Sequence, residues 1–90
     1  MLTVITYDIA DDKRRTRLAK ELENYGQRVQ YSVFECDLDE ARLDALLAKL
    51  YRLVDSADSL RIYRLCQTCL AKSLALGGPS FAIDPPFYQV

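Results

Sequence analysis

The first nine residues, Met1–Ile9, are largely apolar or β-branched on both of the alternating sets that a strand presents: Leu2/Val4/Thr6 on one, Thr3/Ile5/Tyr7/Ile9 on the other. Such a segment reads as a central strand covered on both faces, because either face left in water would expose a row of apolar side chains. The rest of the chain must supply that cover. With 90 residues there is room for one domain, 1–90, which on folding buries about 60–65% of its unfolded surface. Association with a second copy is the direct way to widen so thin a margin.

Helical signals follow the strand. Asp11 or Asp12 offers an N-cap, Leu18, Leu22 and Tyr25 recur at helical spacing, and Gly26 supplies a stop, which predicts a helix over residues 12–25. Residues 27–37 carry Val29, Tyr31, Val33, Phe34 and Cys36 without an internal Gly or Asn turn, and read as one bent strand or two short strands in a tight hairpin. Asp37 with Glu40 resembles a capping box before a second helix marked by Leu43, Leu46, Leu47, Leu50 and Leu53. Ser59–Cys66 alternates again, after a polar turn at Asp55–Asp58. The order β-α-β-β-α-β predicts a ferredoxin-like α+β sandwich: an antiparallel sheet with two helices on one face. The other face is left for a partner, so a homodimer with sheet faces together is expected. Residues 73–90 hold Gly77, Gly78, Pro79, Phe81, Ile83, Pro85, Pro86, Phe87 and Tyr88. They form a tail that either pairs with the partner subunit or folds back on its own domain.

Composition narrows the chemistry. There is no histidine, which removes His-based general bases, Ser-His-Asp sites and His-type metal clusters. Net charge is −1 with a pI near 5.3, so any phosphate-facing surface must be local. Lys and Arg against Asp and Glu number six to five over residues 1–30, three to seven over 31–60 and three to one over 61–90. Without a membrane-length apolar run or a basic-then-apolar leader, the expected setting is cytoplasmic and away from membranes. Three cysteines without a secretory signal favour free thiols.

Asp8 closes an apolar strand, where a carboxylate needs hydrogen bonds, a cation or water. It either caps the next turn, pairs with an arginine, or meets its own copy across a two-fold axis, where two carboxylates hold a hard ion such as Mg²⁺ against a phosphate. Lys13-Arg14-Arg15-Thr16-Arg17 puts positive charge at the helix end whose dipole disfavours it by about 0.3–1 kcal/mol per charge. Arg14, Arg15 and Arg17 are candidates for bidentate phosphate contact, since Lys13 points away from the apolar stripe; a solvated cluster offset by Asp11, Asp12 and Glu21 is the plainer reading. Tyr7, Tyr31 and Phe34 suit base stacking or the core. Cys66-Gln67-Thr68-Cys69 has the spacing of half a zinc site or a redox pair, and equally of two packed thiols.

Taken together, Val4-Ile5-Thr6-Tyr7-Asp8-Ile9 with Lys13-Arg14-Arg15, then Tyr25-Gly26-Gln27-Arg28-Val29-Gln30-Tyr31-Ser32-Val33-Phe34-Glu35-Cys36, then Asp58-Ser59-Leu60-Arg61-Ile62-Tyr63-Arg64-Leu65-Cys66 resemble the CRISPR-associated protein 2 family in order and spacing over about the first 70 residues. The resemblance implies a ferredoxin-like homodimer that works with the CRISPR-associated integrase, CRISPR-associated protein 1, in acquiring spacers, and a Mg²⁺-dependent endonuclease acting on RNA or DNA. It makes Asp8 the metal ligand and a catalytic residue, with Tyr7 beside it in the active cleft. Arg15, Arg17, Arg28 and Phe34 match positions tied to that cleft or to nucleic-acid contact, and Arg14 joins them by the helix argument. Two other readings stay open: a non-enzymatic dimer bridging integrase dimers and duplex DNA, and a toxin ribonuclease similar to virulence-associated protein D.

Overall fold

The computed structural model describes residues 1–78 and 80–82. Seven elements follow one another as β1 (Leu2–Asp8), α1 (Asp12–Glu23), β2 (Gly26–Gln30), β3 (Val33–Asp37), α2 (Glu40–Leu50), β4 (Ser59–Leu65) and α3 (Gln67–Ala71). The four strands form one sheet in the order β2-β3-β1-β4, with β1 antiparallel to both neighbours and β2 antiparallel to β3. This is the ferredoxin-like sandwich that the element order implied.

Register explains the two-sided character of β1. Ile5 stands opposite Phe34 of β3 and Ile62 of β4, and Tyr7 opposite Leu60, so one face carries Ile5, Tyr7, Phe34, Leu60 and Ile62. These residues pack in one cluster with Leu18 and Leu22 of α1 and Leu43, Leu46 and Leu50 of α2. Burying a side chain of this size is worth about 1.5–3 kcal/mol. The second face carries Val4, Thr6 and Asp8, opposite Glu35, Val33, Tyr63, Arg61 and Ser59.

Several details differ from the sequence reading. α1 ends at Glu23 with Asn24 as its C-cap, and Gly26 opens β2 rather than stopping the helix. A Cβ at Gly26 would run into the Glu35 carbonyl oxygen and lie 2.6 Å from Cys36 Sγ, so close strand pairing demands glycine there. Residues 26–37 are two strands, with a register shift between Arg28 and Gln30 that supplies the bend. The α2 cap is Asp39, whose carboxylate accepts from Arg42 N–H; Asp37 instead ends β3 and pairs with the N-terminal ammonium at 2.9 Å. The second face is not wholly bare either. α3, unforeseen because it has only five residues, packs on β4 and buries Leu70.

Of the expected tail, Gln27 Nε2 donates to the Ser80 carbonyl at 2.7 Å and Ala82 N–H to Glu35 Oε1 at 3.2 Å, so this stretch lies over the second face of its own sheet at β2 and β3. Ile83, Pro85, Pro86, Phe87 and Tyr88 fall outside the described residues. Among the described residues no helix is long and apolar enough to cross a membrane.

Candidate nucleic-acid interface and metal-ligand position

Strand alternation separates the two residues expected to share the catalytic centre. Tyr7 and Asp8 are consecutive in β1, so they point to opposite faces. Asp8 is exposed on the second face. Among the described residues no Lys or Arg forms an ion pair with it, and the N-cap of α1 is Asp11, whose carboxylate accepts from Arg14 N–H at 2.9 Å. Neither structural role open to Asp8 on sequence grounds is therefore filled. It remains a hard oxygen donor of the kind Mg²⁺ takes.

Tyr7 is only 7% exposed, packed in the helix-side core with its ring 6.4 Å from that of Phe34. Burial pushes its phenol up, and the Arg28 and Arg15 guanidiniums oppose that rise. Its backbone does more for the site: Tyr7 N–H donates to the Ser32 carbonyl at 3.2 Å, bringing the β2–β3 turn beside the end of β1. Phe34 has no exposed surface, which corrects its expected contact with bases: a ring sealed between sheet and helices has no face to offer. The Arg28 guanidinium lies 5.3 Å over it. Of the three aromatic residues singled out in the sequence, Tyr31 is the one exposed, at 85% at the hairpin tip.

The arginines divide as well. Arg14 was expected at phosphate, but its fork is already filled by Asp58, with Nε donating to Oδ2 at 3.2 Å and Nη2 to Oδ1 at 3.0 Å. The side chain of Asp58 is 2% exposed, and Arg14 holds its carboxyl below the usual carboxylate range. This partner lies 44 residues away and sequence spacing could not find it. Arg15 donates to the Ile9 and Ala10 carbonyls at 2.9 and 3.4 Å and pairs with Asp12, tying α1 to the loop after Asp8. Arg17 and Arg28 are exposed, and among the described residues neither forms an ion pair. The chain thus presents Asp8, Arg17, Arg28 and Tyr31 outward, on a frame held by Tyr7, Arg14, Arg15 and Phe34. No group of three or more acidic or cysteine ligands occurs among the described residues, so Asp8 is a single ligand per chain.

The family model for CRISPR-associated protein Cas2 matches residues 1–73. A Chloroflexus aurantiacus protein named CRISPR-associated endoribonuclease Cas2 3 is 45% identical, covering 100% of this chain and 98% of its own. A Halalkalibacterium halodurans CRISPR-associated endonuclease Cas2 is 44% identical over 96% of this chain and 97% of its own. Among solved structures, a chain of a partial Cas6-RT-Cas1–Cas2 complex superposes with a TM-score of 0.73 at 28% identity, over 99% of this chain and 98% of that one.

Proposed function

The chain belongs to the CRISPR-associated Cas2 family, and from that membership we propose that it is a Mg²⁺-dependent endonuclease cleaving phosphodiester bonds of RNA or DNA as a homodimer. The observation that carries the proposal is Asp8, exposed at the end of β1 and without an ion-pair partner among the described residues. It shares its face with Val4 and Thr6, which a second copy would cover. One carboxylate per chain fits a hard divalent ion only where a two-fold axis supplies the second, with water completing the shell. The chemistry supplied by such an ion is charge stabilisation at the phosphate and acidification of the attacking water.

The rest is done by the chain itself. Arg17, on α1, and Arg28, on the Tyr7 side of the sheet, bind backbone phosphates away from the Asp8 face. Tyr31 stacks on a base and holds the strand near the reacting bond. Arg15 keeps the loop after Asp8 in place through the Ile9 and Ala10 carbonyls, so the carboxylate is positioned before substrate arrives.

Asp8→Ala is expected to keep the dimer and lose activity on matched RNA and DNA by about 10²-fold or more. An Asp8→Ala dimer that cuts as fast as wild type overturns the catalytic role.

Likeness to a chain of a Cas1–Cas2 complex favours a second reading: the dimer bridges integrase subunits and duplex DNA during spacer acquisition. In that case Asp8→Ala leaves acquisition intact, whereas Arg17→Ala with Arg28→Ala abolishes it.

A further inference from the structure

The three cysteines fall into two environments. Cys36 is buried in the core, while Cys66 and Cys69 are both exposed. Packing accounts for the first and fails for the pair, so the two thiols need another reason to stand together. They lie three residues apart across the first turn of α3, on the same side of it. Cys66 is the N-cap residue, with φ −68° and ψ 170°, and its carbonyl accepts from Leu70 N–H at 2.9 Å.

The two sulfurs are unequal. The Cys69 amide and thiol, one turn on, favour the Cys66 thiolate and hold its pKa below the ordinary value. The same contact pushes the Cys69 thiol up. A nucleophilic thiolate beside a proton-retaining thiol is the arrangement of an attacking and a resolving cysteine. A structural metal would need further ligands, and no third acidic or cysteine donor joins them among the described residues.

We propose that Cys66 and Cys69 form a thiol–disulfide exchange site whose co-substrate is a low-molecular-weight disulfide such as oxidised glutathione. The Cys66 thiolate attacks one sulfur of that disulfide, forming a mixed disulfide and releasing one small thiol. The Cys69 sulfur, giving up its proton, then attacks Cys66 Sγ and displaces the second small thiol. Two protein thiols are oxidised to one disulfide, one small disulfide is reduced to two thiols, and the two protons leave on those thiols. The bond closes at the root of α3, directly before Leu70, which is 1% exposed where α3 packs on β4.

The full chain is incubated with oxidised glutathione at neutral pH, quenched with acid and mapped by mass spectrometry. Wild type is expected to yield an intrachain Cys66–Cys69 disulfide with Cys36 reduced, and to return to dithiol in excess reduced glutathione. Cys69→Ser should stop at a glutathione adduct on Cys66. Cys66→Ser should react roughly tenfold more slowly, having lost the better nucleophile. Stable glutathione adducts on both wild-type cysteines, or equal rates for the two single variants, would overturn the proposal. So would thiols that react only after a chelator is added, which would make the pair a metal site.

Discussion

Cys36 is fully buried between β3 and the helices, and burial pushes its thiol up to about 11 from an ordinary 9.0. The folded state therefore keeps a proton that the unfolded state gives up between pH 9 and 11. Stability contributed by the neutral thiol is complete below pH 9 and falls by about 1.4 kcal/mol per pH unit across that window. Chemical denaturation of wild type and Cys36→Ala at pH 8, 9 and 10 should show the variant losing less on the alkaline side, even though truncation lowers its stability at pH 8. Tyr7, raised by burial, acts with the same sign from pH 10 upward and remains in both proteins. Asp58 works in the opposite direction. Its carboxyl is held down by Arg14, so that contribution is present above pH 3.8 and disappears as pH falls through the depressed value. Asp58→Asn should flatten this part of the acid transition. Arg17, exposed and outside any such pair among the described residues, should behave as a phosphate contact: Arg17→Ala is expected to reduce the slope of log K against log salt by about 1 for nucleic acid.

At the level of elements, the helices are recognisable from their apolar spacing, and their ends are decided by which acid faces the first free amides. Asp37-Leu38-Asp39-Glu40 offers two candidates, and the pattern of a Glu three residues on favoured Asp37. The antiparallel pairing of Leu2 with Asp37 keeps Asp37 in β3, leaving Asp39 to cap α2. Asp39→Ala should accordingly cost about 1 kcal/mol in urea denaturation, and Asp37→Ala no more than about 0.5 kcal/mol. The β2–β3 hairpin depends on one glycine. Gly26→Ala forces a methyl into the Glu35 carbonyl and the Cys36 side chain, and should cost at least about 1–3 kcal/mol by the same measurement.

For the whole molecule, the two faces of the sheet carry different burdens. One is filled by α1 and α2, and Phe34→Ala, which empties its centre, should cost about 3–5 kcal/mol. The other exposes Asp8 beside Val4 and Thr6, the face expected to meet a second copy. Val4→Lys places a charge on that face away from the helix-side core. It should convert a dimer to a monomer in sedimentation velocity, leave the far-ultraviolet circular dichroism unchanged and abolish cleavage. A Val4→Lys dimer with full activity would remove this face from the interface.

Periodicity alone determined the sandwich and the place of β1 at its centre, because both alternating sets of Met1–Ile9 demand cover and the leucine spacings leave only helices to provide it. It also put Asp8 at a strand end. Which side chains look outward was decided in three dimensions. Asp58 claims Arg14 from 44 residues away, the sheet and helices close over Phe34, and strand alternation turns Tyr7 from Asp8, leaving Arg17, Arg28 and Tyr31 at the surface. Ion pairs and burial depend on distances between segments remote along the chain, whereas local spacing records only neighbours within a few residues.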